Sequence, residues 1–323
     1  MEPGSYVTLI TPFTSDGGID WPAFDKLVDW HVRSGSKGVF TPCLSSEMFE
    51  LTPEERLELA RRARARAPSG VRVVACGTYG GAIAEQAKFV NALAPLCDAV
   101  VVNTACVAAE DEPDSVWQER VQELLEKTGS APLGLYECPV PYKRLLTPEL
   151  MRWCSDSGRF LFLKDTCCRT DGLKAKLEAC PPGQTLKLFN ANVETLAPSL
   201  ALGAAGFSGI GANFYPHLHA FLCAEAARPG GGDAYKVGRV QDFLSLAEAT
   251  VCVNYPASAK AYLELYAAEA GAAPLLSRRC RKAVGDFAEH QLVALAAMYR
   301  TQRELAKSVG IEEVNPVSGE RVS

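Results

Sequence analysis

The chain has 323 residues, 48% of them hydrophobic and 22% charged, with a formal net charge of −5. That is enough apolar material for a large core, and a mildly acidic chain without a basic block is a poor partner for nucleic acid or an anionic membrane surface. No apolar stretch is long enough to span a bilayer, and the opening Met1-Glu2-Pro3-Gly4 lacks the basic and apolar regions of a secretory signal, so a cytoplasmic location is expected.

In chain order, short apolar runs rich in β-branched residues alternate with charged segments of helical period. The runs cover residues 7–10, 38–41, 71–76, 99–103, 133–137, 160–164, 186–189 and 206–210. Helical segments follow them at 21–33, 53–65, 82–93, 114–126, 148–154, 171–177, 193–202 and 217–227. Two of these helices open on Thr52-Pro53-Glu54-Glu55 and Thr147-Pro148-Glu149. Each pairs a capping hydroxyl with Pro at the first helical position and carboxylates near the positive helix end. Gly35 is placed to end the first helix.

Strands that read as continuous apolar runs are buried on both faces, which fits a parallel sheet covered by helices. Eight evenly spaced β/α units predict an α/β fold, a closed (β/α)8 TIM barrel, over residues 1–228. An open doubly wound sheet is the alternative, but no G-x-G-x-x-G opens the first helix. Residues 229–323 begin with a Pro-Gly-rich stretch and continue with helical patterns at 234–249, 257–270 and 277–309. They predict a helical extension packed on the barrel, ending in a tail from residue 315.

The 12 cysteines are scattered and form no C-x-x-C pair, so they read as small buried hydrophobes in a reducing compartment. Zinc-ligand spacing is absent. His217 and His219 fall two apart on a helix, where they point to different faces, so no metal site is expected there.

In a barrel the reactive side chains gather at the C-terminal ends of the strands. Lys164 ends the sixth run, after Phe160-Leu161-Phe162-Leu163. A lysine partly desolvated there has a lowered pKa and a free, nucleophilic amine; the bland alternative is a lysine paired to Asp165 or reaching solvent. Tyr136, in the fifth run, is either a proton-passing phenol or a core tyrosine. The Ser45-Ser46 pair, in the loop after the second run, offers hydroxyls and backbone N–H groups to a carboxylate.

These residues resemble the dihydrodipicolinate synthase / N-acetylneuraminate lyase family of Schiff-base barrels, over most of the chain. The resemblance rests on Thr11-Pro12-Phe13 with Asp20 and Trp30-His31, and on Ser45-Ser46-Glu47 before Leu51-Thr52-Pro53-Glu54-Glu55-Arg56. It also rests on Tyr136, Lys164-Asp165, Gly203-Ala204-Ala205-Gly206 and Asn213. It implies that Lys164 forms an imine with pyruvate or a related 2-oxo acid and that Tyr136 positions the substrate and shuttles protons. Ser45, Ser46 and Ser208 would bind the substrate. It further implies an aldolase or lyase, with dehydration or condensation by the same lysine as alternatives, no cofactor, and a homo-oligomer, dimer or tetramer. A silent barrel that merely binds an oxo acid is the reading from another class.

Departures from the family pattern mark further pocket positions. Leu44 stands where the synthases carry the first hydroxyl of their relay, and Cys106 near their second tyrosine. Pro141 falls near their arginine, leaving Tyr142, Lys143 or Arg144 as substitutes. Asn192 and Val193 replace the lyases' acidic pair. A substrate other than those of the synthases and sialic acid lyases is therefore expected.

Overall fold

The computed structural model describes residues 1–180 and 183–322. Eight parallel strands close into a barrel in sequence order: β1 (Gly4–Thr8), β2 (Gly38–Phe40), β3 (Arg72–Cys76), β4 (Ala99–Asn103), β5 (Leu133–Tyr136), β6 (Phe160–Asp165), β7 (Lys187–Asn190) and β8 (Gly206–Phe207). The helices between and after them are α1 (Trp21–Arg33), α2 (Pro53–Arg66), α3 (Ile83–Leu93), α4 (Asp114–Lys127), α5 (Pro148–Asp156), α6 (Thr170–Ala179), α7 (Leu196–Ala201) and α8 (Pro216–Ala226). The caps form as expected. Thr52 Oγ1 accepts from Glu55 N while Thr52 N donates to the Glu55 carboxylate, and Thr147 Oγ1 accepts from Leu150 N.

The first and last strands differ from expectation for one reason. The barrel closes by pairing Gly4 with Gly206 and Ser5 with Phe207, so β1 starts three residues earlier than its apolar run. A Cβ on Gly206 would lie 1.8 Å from the Gly4 carbonyl oxygen, so only glycine fits this seam. Past Phe207 the chain leaves the ladder and makes a tight turn, Ile210–Asn213, above the barrel mouth.

Side chains alternate across the barrel wall. Outward residues such as Val73, Val100, Val102, Leu135, Leu163 and Leu188 are buried under the helices. Inward residues fill the lumen, where Tyr6, Phe40, Phe162 and Phe189 form an aromatic plug. Phe162 and Phe189 stack with centroids 4.9 Å apart, Tyr6 lies 4.4 Å from Phe189, and Phe40 lies 5.8 Å from Phe162. This plug is the floor of the site above it.

The extension contains α9 (Ala234–Val251), α10 (Ala257–Glu269), α11 (Glu289–Val309) and a small hairpin of β9 (Glu313–Val314) with β10 (Arg321–Val322). The helix expected from residue 277 begins only at Glu289. The stretch before it spends its polar groups on the barrel loops instead of on itself. Arg281 N and Lys282 N both donate to the Glu47 carboxylate, at 2.6 and 2.8 Å. Arg281 clasps Glu55 and the Gly17 carbonyl, and Ser277 Oγ donates to Phe13 O. The expected tail turns back as the hairpin, with Trp30 Nε1 donating to Val314 O at 2.7 Å; Ser323 lies outside the described residues.

Glu47 is the knot of this strap. It holds a left-handed conformation (φ 59°) in the loop after β2, fully buried, and pairs with the equally buried Lys260 of α10 at 3.2 Å. Replacing one member of such a pair strands the other charge away from water. Lys260→Met is expected to lower unfolding stability by about 3–5 kcal/mol in urea titrations and to speed proteolysis within residues 271–288.

Candidate active site

Strand register places the two leading candidates together. Tyr136 of β5 pairs directly with Lys164 of β6, and both face the lumen just above the aromatic plug. Lys164 is only 4% exposed, and its Nζ sits 4.6 Å from the centre of the Tyr136 ring. Phe40 meets the Tyr136 ring edge-on at 5.6 Å. Burial pulls the Lys164 amine below the ordinary lysine range, and the groups that oppose this are only the Cys43 and Cys138 thiols. The same burial pushes the Tyr136 phenol well up, so it stays protonated and able to donate.

Asp165, the residue that could have neutralised Lys164, faces the other way. The alternation that turns Lys164 into the lumen turns Asp165 out, beneath α6. There Lys176 lies between two buried carboxylates, 2.5 Å from Asp165 and in contact with Glu137. Glu137 also accepts from Leu146 N at 2.8 Å and Thr166 N at 2.9 Å, and Asp165 accepts from Cys167 N at 2.9 Å. Burial, then the Asp165 charge, holds the Glu137 carboxyl above its usual range against the pull of Lys176. The acids nearest in sequence to both lumen residues are thus consumed outside the wall.

The other sequence candidates separate into groups. Ser45 is buried in the short turn Leu44–Ser46 after β2, and Asn213, beyond β8, donates from Nδ2 to the Tyr255 hydroxyl at 2.9 Å. Ser208, at the end of β8, has a buried hydroxyl without a partner among the described residues. Ser46 spends its hydroxyl on the loop: it donates to Leu9 O at 2.7 Å and accepts from Cys43 N at 3.1 Å. Leu44 packs against the lumen cluster. Cys106 lies in a cleft of about 480 Å³ with Tyr79, Val140 and Pro141, beside the mouth. Tyr142 donates to Ala108 O, and Arg144 is bound to Asp114 at 2.8 Å and to the Ala109 and Glu112 carbonyls. Both therefore brace the loop after β4. Asn192 caps the turn before α7, accepting from Thr195 N at 3.1 Å.

Neither helical histidine reaches the site: His217 bonds Gln302 at 2.9 Å, and His219 stacks on Phe207. All twelve cysteines are unpaired, and six are buried. Cys43, Cys76 and Cys138 line the lumen. Sequence reading missed Lys176 and Tyr255. Lys176 sits in an ordinary charged helix pattern, and Tyr255 lies in a turn some 90 residues beyond Lys164.

The profile of the Dihydrodipicolinate synthetase family matches residues 2–277. The chain is 28% identical over 263 residues to the 4-hydroxy-tetrahydrodipicolinate synthase of Chelativorans sp. (strain BNC1), covering 80% of this chain and 87% of that protein. It is 26% identical over 253 residues to the enzyme of that name from Pseudomonas aeruginosa PAO1, covering 76% and 81%. Among solved structures, the pyruvate complex of dihydrodipicolinate synthase from Acinetobacter baumannii superposes with a TM-score of 0.79 at 21% identity, covering 96% of this chain and all of that one. YagE, a prophage protein of the same family from E. coli K12, superposes with a TM-score of 0.79 at 21% identity, covering 94% and 98%.

A desolvated amine without an acid partner stays neutral at lower pH than an exposed one. In competitive acylation across a pH series, Lys164 is expected to reach half its maximal labelling below the ordinary lysine range. A midpoint within that range would contradict the depressed amine.

Proposed function

The chain belongs to the dihydrodipicolinate synthetase family, and on that premise we propose that it is a class I aldolase or lyase whose Lys164 forms an imine with pyruvate or a related 2-oxo acid. The observation that carries this is the placement of Lys164: inward, buried, unpaired with any acid among the described residues, and in register with Tyr136. A neutral amine is what the first step needs.

The Lys164 amine adds to the ketone carbon, and the resulting carbinolamine loses water to give a protonated imine. That cation withdraws electrons from the neighbouring carbon. Loss of a proton there, or cleavage of its bond to a hydroxylated carbon with release of an aldehyde, gives the enamine. In the reverse sense the enamine attacks an aldehyde. Water then returns the amine and frees the product. Tyr136, protonated beside the nitrogen, donates to the carbinolamine hydroxyl as it leaves and takes a proton back. The imine is its own electron sink, so this chemistry requires no metal or organic cofactor.

Ser45 and Ser208 hold the substrate carboxylate, with Ser46 shaping the loop that presents Ser45. The aldehyde differs from that of the synthases, because Leu44 offers no hydroxyl and Arg144 is committed to Asp114 and two carbonyls. Cytoplasmic residence and a homo-oligomer belong to the same reading, supported by the family. Among the described residues no helix is long and apolar enough to cross a membrane.

Borohydride reduction in the presence of pyruvate, read by peptide mass, is expected to fix an adduct on Lys164. Lys164→Ala should lose the adduct and reduce turnover by at least about a thousandfold, as for other residues that carry the reacting bond. An adduct elsewhere, or none with any 2-oxo acid, would remove the proposal. Sedimentation at micromolar concentration is expected to give a dimer or tetramer; a monomer would contradict the assembly.

A further inference from the structure

One side of the barrel mouth is built from the ends of β2, β3, β4 and β5. Cys43, Cys76 and Cys138 are fully buried there, in the lumen cluster that contains Tyr136. Leu44, Phe49 and Tyr79, past the strand ends, pack on the same cluster, and Phe49 meets the Tyr79 ring edge-on at 6.1 Å. Phe49 and Tyr79 then form one flank of the cleft of about 480 Å³ that also holds Cys106 and Val140. An apolar wall thus runs from the rim of the lumen out to the cleft.

The polar groups set into this wall already have partners. The Tyr79 hydroxyl donates to Cys76 O at 2.7 Å, and the Cys76 thiol to Thr78 O at 3.5 Å. Asn103, at the end of β4, donates to Val140 O at 3.1 Å and accepts from Ala105 N at 3.0 Å, and Thr104 donates to Arg144 O at 2.8 Å. The nearby cations are engaged as well. Arg56 lies 3.8 Å from the centre of the Tyr79 ring and donates to Met48 O. Arg120 is bidentate on Glu112, and Arg144 is bound to Asp114 and two carbonyls. Lys143, in the loop after β5, is exposed.

A hydroxyl or carboxylate laid against such a wall gives up water without gaining a partner, whereas a hydrocarbon group gains burial. We infer that the carbonyl partner of the Lys164 enamine is an uncharged aldehyde with a hydrocarbon substituent, and that Leu44, Phe49 and Tyr79 set this preference. This names the second substrate and rests on the reading of Lys164 as the imine-forming amine. The enamine carbon attacks the aldehyde carbon, and the carbonyl electron pair moves to its oxygen. The proton that the pyruvate methyl gave up ends on that oxygen, passed through Tyr136. Water then frees the amine and releases a 4-hydroxy-2-oxo acid with the hydrocarbon group on its fourth carbon.

A matched pair of aldehydes tests the wall. 4-Methylpentanal and 4-oxobutanoate have the same shape, one ending in an isopropyl group and the other in a carboxylate. With pyruvate saturating and product read by mass, kcat/KM for 4-methylpentanal should exceed that for 4-oxobutanoate at least about a hundredfold. Benzaldehyde should also be turned over. Leu44→Ser and Phe49→Ser should each lower kcat/KM for the two hydrocarbon aldehydes about tenfold, and Leu44→Met should recover most of the loss. The comparison within the parent protein decides the matter even if a variant fails to fold.

Borohydride trapping with pyruvate alone, run alongside, keeps the two readings apart. An adduct on Lys164 combined with 4-oxobutanoate used within tenfold of 4-methylpentanal, or with no aldehyde turned over, would overturn this inference and leave the imine standing. A preference for 4-oxobutanoate that disappears in Lys143→Ala would overturn it in favour of Lys143 as an anion partner. No adduct with any 2-oxo acid would remove both.

Discussion

The structure turns on a separation of charge across one strand. β6 ends in Lys164 and Asp165, adjacent in sequence and facing opposite sides of the wall. Were they on one side they would neutralise each other, and the amine would be an ordinary buried cation. Lys176 of α6 makes the separation hold by binding Asp165 and Glu137 outside the barrel. A buried charge without a partner is costly, so the outer cation is what lets two acids stay behind strands β5 and β6. The inner amine, left without an acid, meets the same cost by giving up its proton more readily.

The rest of the site follows from that arrangement. The aromatic plug fills the lumen beneath Lys164, which leaves the C-terminal ends of the strands as the side from which the amine is approached. Tyr136 sits beside the amine because register, not flexibility, puts it there. The far wall, where Thr8, Ser45, Ser208 and Asn213 gather, is made by the seam at which the barrel closes. The tight pairing of Gly4 with Gly206 sets how near β8 comes to β1, and hence how near Asn213 comes to Thr8.

Most of the barrel was legible because buried parallel strands and amphipathic helices write different periods into the chain. The misread places share a cause. Gly4 and Ser5 form a strand edge through closure, which no local apolar pattern records. Residues 277–288 look helical in isolation, yet their donors are drawn off by Glu47, a partner more than 200 positions away. Lys164 and Tyr136 could be picked out because strand ends concentrate chemistry in this architecture. Lys176 could not, since a lysine in a charged helix reads the same whether it faces solvent or a pair of buried acids. Arg144 is the converse: a plausible anion binder by position that folding assigns to a loop brace.

The strap that knots onto Glu47 has a consequence for the order in which the protein comes into being. Its bonds join residues 264 positions apart, such as Ser277 to Phe13 and Arg281 to Gly17. Contacts so distant along the chain form late, and synthesis runs from the N-terminus. Until residues 277–282 have been made, all eight barrel strands already exist but the loop bearing Ser45 is not yet tied down. The pocket is therefore finished after the barrel wall itself, and a chain cut short before Ser277 would carry the lysine in a mouth that had never been drawn shut.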